Sequence, residues 1–297
     1  MNFAKHLSKF AVAGAAVAGL ALAVPAMAGT FTLVPSTITG CGACTSPVSN
    51  VYGMTFLGTS YIQNDLSGGA NPAALDAGDT FTEYGGLTST GLLSADSTPI
   101  LPGTSGVNVN WQIGALFNGL AGVNTSVTSG LAKFSFTPGA GQIDIYATPF
   151  GTPQSPNDPS TIDSASATLV ASLEVLKGTG SFDFGATTPD GAIDILAEFT
   201  SLPVAGFWQQ NGLDINLGST IFLAITDSNN NFIQADGATQ TAFDNYWGIT
   251  TANNPSGQLF TSNDGSVKFT IPDPGSLLLV GTGLLLLGFS FRRRQTS

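Results

Sequence analysis

Apolar and polar side chains alternate along short stretches of this chain with a period of two, and very little of it repeats at 3.6 residues. Val107, Val109, Trp111 and Ile113 fall on one face while Asn108, Asn110 and Gln112 fall on the other, which is the pattern of a half-buried strand with one wet face. Phe134 with Phe136, Ile143 with Ile145, and Phe182 with Phe184 keep the same period. Ala167, Leu169, Ala171, Leu173 and Val175 face away from Ser166, Thr168, Ser172 and Glu174, and Ile193, Ile195, Ala197 and Phe199 alternate with Asp194, Leu196 and Glu198. Ile221 to Ile225 is apolar throughout, as in a central strand buried on both faces. Val267, Phe269 and Ile271 make a last strand.

Turn chemistry separates these stretches: Gly139-Ala140-Gly141, Gly178-Thr179-Gly180, Pro189-Asp190-Gly191, Asp227-Ser228-Asn229, Asp236-Gly237 and Asp264-Gly265. Many short strands joined by turns predict an all-β domain, a β-sandwich or jelly roll. Asn71 to Asp76 is the one stretch that starts like a helix. The segment Thr148 to Thr161 carries Pro149, Pro153, Pro156 and Pro159, which cannot donate to a ladder, and reads as an inserted loop. Gly141 to Ile145 (GQIDI) returns as Gly191 to Ile195 (GAIDI), a similarity that turn-strand units also reach by convergence.

Both ends of the chain are of a different kind. Lys5, His6 and Lys9 precede an apolar run from Phe10 to Val24, and Ala26-Met27-Ala28 gives the small-x-small pattern of a signal peptidase site. Residues 1–28 thus read as a signal peptide and 29–270 as an exported domain. Residues 271–297 hold Pro272-Asp273-Pro274, an uncharged run from Leu277 to Phe291, and Arg292, Arg293 and Arg294. Those fifteen residues would rise about 22 Å as a helix, a short transmembrane segment, and the arginines would hold its end in the cytoplasm.

This tail resembles the PEP-CTERM sorting signal of Gram-negative bacteria, in which a Pro-Glu-Pro tripeptide, a transmembrane segment and an arginine cluster close the chain; Asp273 stands where the family has Glu. The resemblance implies processing by an exosortase, transient anchoring in the inner membrane, and delivery to the cell surface or extracellular matrix. Gly78 to Tyr84 (GDTFTEY), Trp111 to Gly119 (WQIGALFNG), Ala171 to Gly185 (ASLEVLKGTGSFDFG) and Ile193 to Phe199 resemble the flocculation-associated PEP-CTERM proteins, which implies a part in aggregation within exopolysaccharide.

Charge narrows the partners. Of the 19 acidic residues all but Asp273 lie in the exported domain, leaving 18 against Lys133, Lys177 and Lys268, a balance of fifteen negative charges with no Arg and no His. Such a surface repels nucleic acid and anionic membranes. Apolar content of 42% with 20 Phe supplies a packed core and sets the chain apart from disordered acidic tails.

Motifs for catalysis are scarce. Without His in the exported domain there is no Ser-His-Asp or Cys-His arrangement and no His-ligated zinc, and neither a G-x-S-x-G elbow nor a phosphate-binding G-x-x-x-x-G-K-[ST] occurs. Two carboxylates suffice for glycosidase chemistry; Asp194 and Glu198 are such a pair, though wet-face strand positions explain them as well. Cys41-Gly42-Ala43-Cys44 reads as a local disulfide in an exported chain. Asp227, Asn229 and Asn231 place oxygens at alternate positions like the start of a calcium loop, but Phe232 stands where the loop needs Gly and Ala238 where it needs Glu. Trp208 beside Gln209, Gln210 and Asn211, and Tyr246-Trp247 after Asp244-Asn245, pair aromatic faces with amides and are candidate glycan contacts; filling a β-core is the other use of such residues. The expectation is a non-enzymatic surface or matrix protein with no required cofactor, a glycan-binding module being the first alternative and a carboxylate hydrolase the second.

Overall fold

Strands dominate the computed structural model, which describes residues 30–71, 74–151, 153–183, 190–215, 217, 222–227, 231–253 and 257–270. In chain order they are β1 (Phe31–Leu33), β2 (Val48–Asp65), β3 (Thr80–Ser94), β4 (Pro99–Ile100), β5 (Trp111–Thr128), β6 (Leu131–Phe136), β7 (Gln142–Pro149), β8 (Thr168–Asp183), β9 (Asp190–Ser201), β10 (Trp208–Gln210), β11 (Leu213–Asp214), β12 (Phe222–Asp227), β13 (Asn231–Ile233) and β14 (Gln258–Thr270). Among the described residues one helix is longer than four residues, α1 (Gly237–Trp247), and it comes before β14. All described elements lie in one unit, Thr30–Thr270. The signal peptide 1–28 and the tail, with Pro272, Asp273, Pro274 and Arg292 to Arg294, lie outside the described residues.

The named strands pair antiparallel in one 14-stranded sheet. β2 pairs with β3, β3 with β5, and β5 with both β6 and β7, which lie end to end between β5 and β8. β8 pairs with β9, β9 with β12, β12 with β14, and β14 returns to β2. The pairings therefore run in a closed circuit, and the main strands have no free edge to offer. Where the sequence predicts two packed sheets, the strands belong to one. β12 sits between β9 and β14, the central place expected of its apolar run.

Register explains the interior. Phe56, Leu87, Ile113, Ile145, Ile195 and Val267, one from each of six strands, converge on a cavity of ≈ 50 Å³. Aromatic clusters close both ends of the circuit. Phe31, Phe199, Trp208 and Phe269 pack at centroid distances of 5.3 to 6.4 Å at the end where the chain enters at β1 and leaves from β14. Phe81, Phe134 and Phe136 do so at the far end, the first ring 5.3 and 5.4 Å from the other two. Edge-to-face pairs of this kind add about 0.5–1.5 kcal/mol each beyond their buried area.

Several turns predicted from glycine and aspartate are strand interior instead. Gly178 and Gly180 lie within β8, and Asp264-Gly265 within β14. Crowding is the reason for the two β8 glycines. A Cβ at 178 would stand 2.8 Å from the Phe136 ring, and one at 180 would enter the Phe134 ring. Asp236-Gly237 opens α1, whose N-cap is Asp236, accepting a 2.8 Å hydrogen bond from the Thr239 amide. The expected helix at Asn71 to Asp76 is absent from the part described; Asp76 and Asp79 instead accept backbone amides of the loop, which favours loop over helix. The strand expected from Val107 begins only at Trp111. Asn108 is left-handed at φ 59° and the Asn110 amide bonds to Gly106, so the chain turns there and Val109 is exposed. Pro149 ends β7 opposite Trp111 rather than lying in the loop.

Candidate functional site

The inserted segment after β7 folds back onto the outer wall of the sheet. A turn of 3-10 helix, Pro159–Thr161, is capped by Asp158, whose Oδ1 accepts the Ser160 amide at 3.2 Å and the Ser160 hydroxyl at 2.7 Å. Ile162 is fully buried and packs over Gly86 and Gly114, where a side chain would collide with it. Asn157 Oδ1 accepts the Thr59 hydroxyl at 2.5 Å, and the Gln154 backbone N–H donates to Gln112 Oε1 at 2.8 Å. Polar fastening around one apolar plug fixes the loop.

Beside it lies α1. Eleven residues make a marginal helix by themselves, so tertiary packing has to hold it. Thr239 and Phe243 are buried one turn apart, and Phe243 meets Phe260 at 5.1 Å and Trp247 at 4.8 Å, with Tyr61 in the same cluster. Gly248, left-handed at φ 66°, ends the helix by donating its amide to Asp244. Asp244 Oδ1 accepts the Thr251 amide at 2.6 Å, and Asn253 Nδ2 donates to the Ala235 carbonyl at 2.9 Å, strapping the following segment to the helix.

That packing leaves Ala238, Thr241, Ala242 and Asn245 on one helical face. Together with Asp158, Ser160 and Tyr246 they line a groove of ≈ 550 Å³. Small alanine side chains form part of its floor, and Ser160, Thr241 and Asn245 are exposed. Tyr246 Oη donates to Asp163 Oδ2 at 2.5 Å, tying helix to loop. Burial raises the Tyr246 phenol well above its usual range, and the Asp163 carboxylate raises it further, so it stays a neutral donor. Tyr146 on β7 is raised to about 12 by burial and then by Asp144 and Asp163. The groove thus joins an aromatic side chain, hydroxyls, an amide and a carboxylate. Such groups donate to and accept from alcohol oxygens, and a concave site with a few placed polar groups is the usual form of a small-ligand site.

Of the three aromatic residues expected to contact glycan, only Tyr246 lines this groove. Trp208 is core: its ring is buried among Phe31, Phe199 and Phe269 and its Nε1 donates to the Val170 carbonyl at 2.9 Å. Trp247 packs between Phe243 and Tyr84. Asp194 and Glu198 lie four residues apart along β9, which separates their backbone positions by about 13 Å, wider than the paired carboxyl groups of glycosidases. Of the calcium candidates, Asn229 lies outside the described residues; Asp227 ends β12 opposite Gly265, and Asn231 opens β13 opposite Ser262. Among the described residues no group of three or more His, Cys, Asp or Glu converges as a metal site. Cys41 and Cys44 are joined in a disulfide with Cα atoms 5.3 Å apart. Asn245, named beside Tyr246 as an amide partner, does line the groove, whereas Asp158, Ser160 and Thr241 were missed by sequence reasoning, the available signal being the Asp236 cap followed by Thr239, Phe243 and Trp247 at helical spacing.

No protein-family model matches this chain, and no curated protein or solved structure matches it significantly. No helix among the described residues is long and apolar enough to cross a membrane.

Proposed function

We propose that this is an exported, non-enzymatic protein of the cell surface or extracellular matrix, whose β-domain holds neutral exopolysaccharide in the groove between α1 and the Pro159–Thr161 turn. The observation that carries this reading is the groove itself, where Tyr246, Asn245, Thr241, Ser160 and Asp158 gather around one concavity. Neutral sugar suits it better than uronate or sulfated polymer, because the domain balance of 18 acidic against three basic side chains repels anions.

In this reading a PEP-CTERM-like tail delivers the protein: an exosortase acts at the Pro272-Asp273-Pro274 segment after transient anchoring in the inner membrane by residues 277–291. Aggregation of cells, as in flocculation or biofilm, is the outcome, with the closed sheet circuit as its support. No cofactor has a part in it.

The test is gel-shift electrophoresis of the protein in gels cast with the host's purified exopolysaccharide. Wild type is retarded, while Tyr246→Ala and Asn245→Ala migrate as in gels without polymer. Retardation unchanged in both variants overturns the groove. In the host, deletion of the gene abolishes aggregation at normal polysaccharide yield, and only a form with its tail restores it; unchanged aggregation overturns the matrix role.

A further inference from the structure

The two ends of the sheet circuit differ in chemistry. The end where the chain enters and leaves is marked by the register: Val51 opposes Ser94, Trp111 opposes Pro149, and Ala147 opposes Thr168. β14 finishes there, since Lys268 opposes Gly53 near the start of β2. The connections following β3, β7 and β9 all emerge at this end.

Those three connections carry Leu101, Val109, Phe150, Leu213 and Leu217, five of the seven large apolar side chains that are exposed among the described residues, at 43% to 73% exposure. Val109 and Phe150 are neighbours, because the Phe150 amide donates to the Asn110 carbonyl at 2.9 Å. The other two are Leu57 on the outer wall and Leu131 at the far end. Acidic residues favour that far end, where Asp65, Asp76, Asp79, Asp183, Asp190 and Asp227 occupy strand ends and the loop before β3. Asp96, Asp158, Asp163 and Asp214 are the acidic side chains in the three connections, and Asp158 and Asp163 belong to the part of the β7 connection that folds back along the outer wall.

We infer that the end carrying these five side chains rests on the lipid surface while the chain is anchored. The inference depends on the tail reading above and adds an orientation to it. Leu277, where the uncharged run begins, is seven residues after Thr270, so a bilayer that holds the run lies within about 25 Å of the end of β14 by chain length alone. Exposed apolar side chains gathered on one side of a domain mark a contact surface, and at this distance the bilayer interface is the surface that leucine, valine and phenylalanine enter. The acid-rich far end is then held away from anionic headgroups. Lys268 is exposed at the near end, within reach of lipid phosphate.

The test uses the full-length chain in phosphatidylcholine vesicles containing a nitroxide-labelled lipid. Cys41 and Cys44 are consumed in their disulfide, so Val109→Cys, Phe150→Cys, Leu213→Cys or Leu131→Cys each supplies one thiol for a fluorophore. Labels at 109, 150 and 213 are expected to be quenched several-fold more than the label at 131. Flotation with the vesicles but equal quenching at all four positions overturns the docking and leaves the tail reading intact. Failure to float overturns the tail reading, and the docking with it. In a chain that also carries Leu101→Asp and Val109→Asp, flotation persists while quenching at 150 falls several-fold; quenching that does not change there also overturns the proposal.

Discussion

Phe243→Ala tests whether one side chain holds the groove in place. Phe243 is fully buried on the outer wall, against Phe260 and Trp247 at centroid distances of 5.1 and 4.8 Å. Removing its ring gives up about 2–3 kcal/mol of apolar burial and two edge-to-face contacts of about 0.5–1.5 kcal/mol each, a sum of about 3–6 kcal/mol that overlaps the roughly 3–5 kcal/mol typical of buried Phe→Ala. An eleven-residue helix has little stability of its own to set against that loss. The sheet circuit does not pass through α1, so the helix should open locally before the strands do. Hydrogen exchange followed by mass spectrometry should show α1 amides losing about two to three orders of magnitude of protection, while β5, β7 and β8 keep theirs. Retardation by exopolysaccharide should vanish together with helix protection. Refutation is equally direct: if α1 amides keep wild-type protection, Phe243 is not the anchor, and if the whole domain unfolds in one step, the helix is part of the cooperative core.

Three other outcomes follow from the same contacts. Gly180→Ala should cost about 1–3 kcal/mol by overpacking against Phe134 and the Ala192 carbonyl, read as a lower urea midpoint at unchanged slope. Tyr61, Tyr146 and Tyr246 all bind their protons more tightly in the fold, the first two with values near 12; the unfolded chain loses these protons first, so stability is full below pH of about 10 and falls as pH rises toward 12. Tyr246→Phe should flatten that alkaline slope in urea titrations, and an unchanged slope would show that Tyr246 does not contribute. Cys41→Ser with Cys44→Ser should cost no more than about 2 kcal/mol, because the bridged loop is very short, and the urea midpoint with and without reductant checks it.

The strands were legible because their signal is local. Ile143 and Ile145, or Ile193 and Ile195, declare a buried face by alternation alone, and the repeated GQIDI and GAIDI stretches fall on β7 and β9, which pair on opposite sides of β8. Glycine and aspartate are ambiguous by the same local logic. Gly139 and Gly141 do make a left-handed turn, whereas Gly178 and Gly180 leave space for phenylalanine rings on β6, and nothing within five residues of either pair tells them apart. Asp236-Gly237 has the composition of a hairpin turn and the geometry of a helix cap; Thr239, Phe243 and Trp247 decide between them only when their spacing is weighed against the neighbouring polar residues.

The groove was hidden for a further reason: its two walls come from parts of the chain that lie far apart. Tyr246 and Asp163, joined by the hydrogen bond that closes it, are separated by 83 positions. Each wall read alone looks like ordinary surface, a capped turn on one side and a polar helix face on the other. What brings them together is apolar and lies beneath them: Ile162 seated over Gly86 and Gly114, and Phe243 seated against Phe260. The glycines that admit Ile162 and the phenylalanine that anchors α1 therefore position the candidate site without touching any ligand in it. A substitution at Gly86 should accordingly weaken retention by polysaccharide while every groove side chain is intact. Gly86→Val is the sharper form of that test, since its branches would displace Ile162 from the wall; retention equal to wild type, with the fold preserved by circular dichroism, would refute the dependence of the groove on the buried plug.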